Sequence, residues 1–213
     1  MIGAMSDDRL AWIYSAATPD ELRDRYEIWA SDYDDDLAAL SWRAPWAGAE
    51  RCAAFLPPGG EVLDAGCGTG QVGAALRSLR VDRVVGFDLS PAMLARAGAT
   101  GAYTETHQGS LLAPLPFLAG RFDGVVSVGV FTCGHVGPEA LGALARVTVA
   151  GGHVTLTFRS DSIGPLGYAN VAERLEAEGV WTLVECTDPA PLLVEDGVGV
   201  DMIVMTWQVG PAS

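Results

Sequence analysis

The sequence predicts an α/β fold: a doubly wound sheet of seven strands, mostly parallel with an antiparallel last strand, behind helices that cap a ligand site. Three observations carry that expectation. From residue 61 onward, short apolar runs alternate with segments of helical period. The first run, EVLDAGCGTG at 61–70, passes through the acidic Asp64 into a loop with glycine at 66, 68 and 70. The second, VVGFD, ends on Asp88 about twenty residues further on, the spacing at which a strand-end carboxylate meets a ligand held by the loop.

Residues 1–56 read as an N-terminal helical cap segment and 57–213 as the sheet domain, together one compact unit. In the cap, Leu22, Tyr26, Trp29, Tyr33, Leu37 and Leu40 recur at helical spacing. Thr18-Pro19-Asp20-Glu21 is a helix start, with an N-cap threonine, a first-turn proline and Glu21 at the capping-box position. Pro57-Pro58-Gly59-Gly60 stops the helices and launches the first strand. Strands are expected near 61–65, 82–87, 103–107, 122–129, 152–158, 180–186 and 200–208, and helices near 70–79, 90–98, 137–147 and 164–178. Ser90-Pro91 opens a helix in the same way as Thr18-Pro19, and Gly151-Gly152 is expected to turn the helix at 137–147 into the fifth strand. The connection 187–199 has no helical pattern and is short for a parallel crossover, so the last two strands should pair as an antiparallel hairpin.

Composition narrows the function. The net charge is −14 and the chain has no lysine, which together with abundant Ala, Gly and Val reads as GC-rich coding bias. An acidic chain suits a small molecule or a cationic partner and disfavours nucleic acid, which needs a basic surface. No apolar run approaches the roughly eighteen residues of a membrane span, and no basic-then-apolar start suggests a secretory signal. Cys52, Cys67, Cys133 and Cys186 lie far apart without a C-x-x-C pair, so neither a disulfide framework nor a metal site is expected, and a cytoplasmic setting fits. Nothing in the pattern fixes an oligomeric state.

The glycines let the loop bring backbone N–H groups close to a ligand, and Asp88 can accept from two ribose hydroxyls, so an adenosine-containing cofactor is expected. Gly73 makes GTGQVG a G-x-G-x-x-G string, which alone would suit an NAD-type oxidoreductase. Asp64 ahead of the loop, and the lack of a second nucleotide-binding half, weigh against that. VLDAGCGTG, VVGFDLSPAML, FDGVVSVGVF and the Gly-Gly turn before HVTLTF, in this order and spacing, resemble the class I S-adenosylmethionine-dependent methyltransferases, a Rossmann-like family, over roughly residues 55–210. RYEIWASDYDDDL is similar to the YDxWAxxYD opening of a small group that includes the Williams–Beuren-region methyltransferase-like proteins, with Glu27 in place of the first Asp. VGVFTCGHV is similar to that group's loop after strand four.

The resemblance implies S-adenosyl-L-methionine as cofactor, S-adenosyl-L-homocysteine as product, and methyl transfer to a small-molecule acceptor. It implies that Gly66, Cys67, Gly68 and Gly70 pass under the methionine portion and that Asp64 holds its ammonium directly or through water. Asp88 would accept both ribose hydroxyls, with Phe87 and Leu89 beside the sugar or adenine. Ser110 and Leu111 fall at the adenine edge; Ser110 stands where the family often carries an acid, which leaves recognition to the Leu111 backbone. Gly129 and Val130 would complete the methionine pocket through main-chain carbonyls.

Several alternatives stay open. Tyr26, Trp29 and Tyr33 make either an ordinary core stripe or a cage for the sulfonium, a cation that aromatic faces attract. The carboxylates from Asp32 to Asp36 are solvated surface or a lure for a cationic substrate. His135, just past the fourth strand, is the candidate catalytic base, or else merely starts the next helix; His107 and His153 read as structural. A protein that binds the cofactor without transferring methyl groups would share all of these features.

Overall fold

The computed structural model describes residues 5–132, 136–195 and 197–211. Four helices come first: α1 (Met5–Tyr14), α2 (Pro19–Trp29), α3 (Tyr33–Ala39) and α4 (Ala44–Ala54). The Thr18 hydroxyl caps α2 by accepting the Glu21 N–H at 3.2 Å, and Glu21 Oε2 reaches back to accept the Ala17 N–H at 2.8 Å. The chain then alternates through β1 (Val62–Ala65), α5 (Gln71–Ser78), β2 (Val84–Asp88), α6 (Pro91–Ala99), β3 (Glu105–Gln108), β4 (Phe122–Phe131), α7 (Ala140–Val147), β5 (Thr148–Arg159) and α8 (Tyr168–Ala177). It ends in three strands: β6 (Trp181–Cys186), β7 (Ala190–Glu195) and β8 (Val198–Val209).

The sheet order is β3-β2-β1-β4-β5-β8-β6, with β7 also paired to β8. Pairing is parallel from β3 across to β5 and antiparallel from β8 outward. Every residue of β1 is buried, as befits a central parallel strand covered on both faces. One face packs against α7 and α8 through Phe122, Phe131, Phe158, Tyr168, Trp181 and Trp207. The other is covered by α4 and α5 through Ala49, Cys52, Val72 and Leu76. Burying each large apolar side chain contributes about 1.5–3 kcal/mol, and these two layers hold the loop ends of β1, β2 and β4 at one rim. Helices α1–α3 form a third apolar cluster over that rim, whereas α4 lies with the sheet.

The structure corrects the strand inventory in two places. Strand β5 starts at Thr148, and Gly151-Gly152 sits inside it as a bulge: the register jumps from Phe122↔Thr148 to Gly124↔His153, with Gly151 at φ +82°. The connection 187–199 is not a plain loop but contains β7, giving eight strands among the described residues. Pro191 demotes the run APLLVE as a strand signal, yet an edge strand tolerates proline. β6 and β7 follow one another along β8, with Cys186↔Met205 and Ala190↔Met202; β6 pairs β8 antiparallel as expected, but the hairpin turn belongs to β7 and β8, where Glu195 faces Val198. β7 also reaches the cap: Arg43 N–H donates to the Leu192 carbonyl at 2.8 Å, Val194 N–H to the Leu40 carbonyl at 2.8 Å, and Leu193 joins the cap's core.

Candidate cofactor and acceptor site

A cavity of about 350 Å³ opens at the carboxyl ends of β1, β2 and β4, under the cap. Its wall includes Gly66, Gly68, Phe87, Asp88, Leu89, Met93, Gly109, Ser110, Leu111, Gly129 and Val130, together with Leu22, Tyr26 and Tyr33 of the cap. This is the rim where open parallel sheets gather ligands. The loop turns tightly there, since Gly66 and Cys67 both donate their N–H to the Phe87 carbonyl, at 2.7 and 3.1 Å. A Cβ on Gly68 would have nothing within 4 Å and would project from a φ of +51° beside the cavity. A Cβ on Gly66 would meet Val130 at 2.3 Å. The two glycines are therefore needed for different reasons: one leaves room for a ligand, the other lets β1 and β4 close.

Asp88 is the single charged residue of that wall among the described residues. Its Oδ2 accepts the Gly68 N–H at 2.8 Å and its Oδ1 the Ser90 N–H at 2.9 Å. Each oxygen keeps a second lone pair, so the carboxylate is fixed in place and can still accept from two hydroxyls. Burial pushes its pKa above the ordinary value; the N–H bonds from Ser90 and Gly68 oppose this, and the Glu27 charge adds to it. Both sequence readings of Asp88 meet here, because it orders the start of α6 and also faces the cavity.

Asp64, Cys67 and Gly70 lie behind the loop rather than on the cavity wall. Asp64 is fully buried, and its Oδ2 accepts from the Tyr103 hydroxyl at 2.6 Å, while Oδ1 has no hydrogen-bond partner among the described residues. Burial pushes its pKa to about 7, against the pull of the Tyr103 bond and with the Asp88 charge adding to the rise. Burial also pushes the Cys67 thiol well above its usual value, which makes it a small packing residue rather than a nucleophile. A Cβ on Gly73 would meet the Tyr103 ring at 2.4 Å, so the third glycine of GTGQVG makes room for a tyrosine.

The acidic run of the cap is largely engaged. Asp34 accepts from Thr69 Oγ1 at 2.6 Å, Gln71 Nε2 at 2.8 Å and Arg96 Nη2 at 3.2 Å, tying α3 to the glycine loop and to α6. Burial raises the Asp34 pKa, but the bonds from Thr69, Gln71 and Arg96 outweigh it and leave the group below the ordinary value. Glu27 Oε1 accepts from the Ser90 hydroxyl at 2.6 Å and the Ala92 N–H at 3.0 Å, a second tie from α2 to the start of α6. Asp36 takes the Trp29 indole N–H at 2.7 Å, and Arg9 pairs with Asp32 and Asp36. Sequence reasoning left Glu27 without a role and read Asp34 as solvated surface or a lure for a cation, whereas it ties the cap to the loop; the one signal for these ties was the place of both residues in the YDxWAxxYD-like stretch.

The aromatic trio divides. Trp29 is buried in the cap's core, with its ring edge-on to Tyr33 at 4.7 Å, and does not line the larger cavity. Tyr26 and Tyr33 do. Leu89, Ser110 and Leu111 form the far wall, where Ser110 Oγ accepts the Leu112 N–H at 3.1 Å. Gly129 bulges out of β4 at φ +71°, its N–H donating to Thr157 Oγ1 at 3.0 Å. His135 lies outside the described residues. His107 and His153 do not line the cavity, and no cluster of His, Cys, Asp or Glu suited to a metal occurs among the described residues.

The residues present fit an adenosine sulfonium cofactor: open space over Gly68, a pinned carboxylate with spare lone pairs at the end of β2, a partnerless buried Asp64 oxygen under the loop, and tyrosine rings above. Residues 62–152 match the family model described as a methyltransferase domain. Methyltransferase-like protein 27 of Homo sapiens is 40% identical over 164 residues, 73% of this chain and 66% of that protein, just under two thirds of its length. Among solved structures, a TehB-like SAM-dependent methyltransferase from Corynebacterium glutamicum superposes with a TM-score of 0.64 at 24% identity, covering 87% of this chain and 98% of that one. A methyltransferase solved in complex with the Trm112 activator of Haloferax volcanii gives 0.63 at 22% identity, covering 90% and 98%.

Proposed function

We propose that this chain, which belongs to the class I S-adenosylmethionine-dependent methyltransferases, transfers a methyl group to a small-molecule acceptor. The observation that carries the reading is Asp88, held by two N–H groups in a 350 Å³ cavity floored by Gly66 and Gly68. Bound S-adenosyl-L-methionine supplies an electrophilic methyl on sulfur. The chain's part is binding and orientation: Asp88 receives the ribose hydroxyls, the loop admits the methionine portion, and Leu89, Ser110 and Leu111 flank the adenine. Tyr26 and Tyr33 present aromatic faces, which attract a cation and exclude water. A thioether leaving group needs no acid, so positioning and desolvation supply most of the effect. The acidity of the chain argues for a small acceptor over nucleic acid.

Methyl-labelled cofactor tests the reading. Incubation with panels of oxygen, nitrogen, carbon and sulfur nucleophiles should move label into an organic product, with S-adenosylhomocysteine accumulating in equal amount. Tight binding of S-adenosylhomocysteine with no label leaving the cofactor on any panel would make this a binding protein instead.

A further inference from the structure

Tyr103, in the segment between α6 and β3, stands in a groove behind the glycine loop. Cβ atoms on Gly70 and Gly86 would each meet its ring at 3.1 Å, and one on Gly73 would overlap it. The loop, β2 and α5 thus each give up a side chain to this one ring. Its hydroxyl donates to Asp64 Oδ2 at 2.6 Å and accepts the Gly73 N–H at 3.2 Å, which spans the loop from β1 to the first turn of α5. A phenylalanine would fill the same groove; only the hydroxyl reaches the carboxylate. The titratable groups that face Asp64 are Cys52 from α4, Cys67 from the loop, Asp88 from β2 and Tyr103 itself, and no arginine is among them. Burial, with the Asp64 charge adding to it, pushes both thiols and the Tyr103 hydroxyl up, so all three keep their protons near neutrality. Asp64 therefore has one hydrogen bond, a free Oδ1 and no neighbouring cation among the described residues, and a buried carboxylate needs such compensation.

We propose that Tyr103 is a positioning residue for the cofactor: its hydroxyl holds Asp64 as a carboxylate behind the glycine loop, where the negative charge attracts the ammonium of the methionine portion. The assignment rests on the cavity under the cap being the cofactor pocket. Direct contact is not required, because Gly66 and Gly68 put no side chain between Asp64 and the cavity, and charges act strongly across a low-dielectric interior. Asp88, on the cavity wall, already raises the Asp64 pKa, so charge is felt from one side of the loop to the other. A cation above the loop acts in the opposite sense and favours the carboxylate. Asp64 titrates at about 7 in the ligand-free chain, so binding of an ammonium releases a proton there, and affinity rises as pH rises through that value. Loss of the Tyr103 bond removes the one contribution that lowers the Asp64 pKa and moves this rise to higher pH.

The test compares, by calorimetry from about pH 6 to pH 8, S-adenosylhomocysteine with 5′-methylthioadenosine, which keeps the adenosine and the thioether but lacks the amino-acid end. Both ligands carry the ribose, so titration of Asp88 cancels in the ratio of their affinities. In the unaltered chain that ratio should rise severalfold with pH in favour of S-adenosylhomocysteine. Tyr103→Phe should lower it about fivefold at pH 7 and move its rise upward by about one pH unit, with 5′-methylthioadenosine affinity unchanged. Asp64→Asn should make the ratio independent of pH, and Tyr103→Phe added to it should change nothing further. A ratio flat with pH in the unaltered chain overturns the assignment whether or not any variant folds. An unchanged ratio in Tyr103→Phe, or equal weakening of both ligands, does so too, and in each case the cofactor reading stands. Failure of the unaltered chain to bind either ligand overturns both.

Discussion

The two cavities are made from different materials. The larger one is built around a glycine loop, the end of β2 and the turn after β3, with Asp88 as its charge, and is closed by α2, α3 and the end of β4. The smaller one, a hollow of about 50 Å³ between the cap and the ends of β4, β5 and β7, collects side chains from α1, α2, α3, β4, β5, β7 and β8, among them Arg159, which pairs with Asp161. A site that must hold one invariant shape can be written as a short motif. A hollow assembled from single side chains on seven elements has no such motif, because each lining residue arrives from a different part of the chain. The ties from Glu27 and Asp34 join the halves, since they fasten the cap onto the loop and onto α6.

Substitutions at the larger cavity should have the largest effects. Gly68→Val puts a branched side chain into the open space over the loop and should weaken S-adenosylhomocysteine binding on the order of 100-fold or more. Strain at its left-handed φ should cost about 1–2 kcal/mol of stability, so a lowered but cooperative melting transition is the control. Unchanged affinity would place the ligand elsewhere. Asp88→Ala removes two charge-assisted acceptors and should weaken binding by about 2–3 kcal/mol, roughly 30- to 150-fold by calorimetry. A loss of only a few tenths would sever Asp88 from the ribose.

The tie between the halves should show a smaller effect. Asp34→Ala loses bonds to Thr69 and Gln71 at a half-exposed position, so about 1 kcal/mol of cofactor affinity should go, a roughly fivefold change. No change in affinity would mean that cap and loop act independently. The least effect is on stability against pH. Asp64 has a folded pKa raised from 3.8 to about 7, so its contribution is complete below 3.8 and is lost as pH rises through about 7. Asp88 is also raised and adds to the same slope, whereas the lowered Asp34 contributes above its unfolded value and loses that only in more acidic solution. The melting temperature of the ligand-free chain should therefore fall between pH 5 and pH 8, and Asp64→Asn should flatten that fall; an equal slope in both proteins would contradict the burial argument.

The same contrast explains what the sequence could tell. The strand-loop-strand chemistry around Gly66, Gly68 and Asp88 was legible because each residue type is forced by local geometry. Thr18 and Ser90 were legible as caps for the same reason. Asp64 read as a ligand for the cofactor because its position matched a motif, yet its visible carboxylate bond goes to Tyr103, thirty-nine positions away. The roles of Glu27 and Asp34 depend on Ser90 and Thr69, distant partners that no periodicity announces. β7 was hidden by a proline that an edge strand accepts, and with it went the Leu193 wall of the second cavity.

The most direct test of the central claim is a calorimetric titration of the ligand-free chain with S-adenosylhomocysteine, run beside NAD. The account predicts one-to-one binding of the thioether and no heat from NAD. Binding of NAD with silence toward S-adenosylhomocysteine would contradict it.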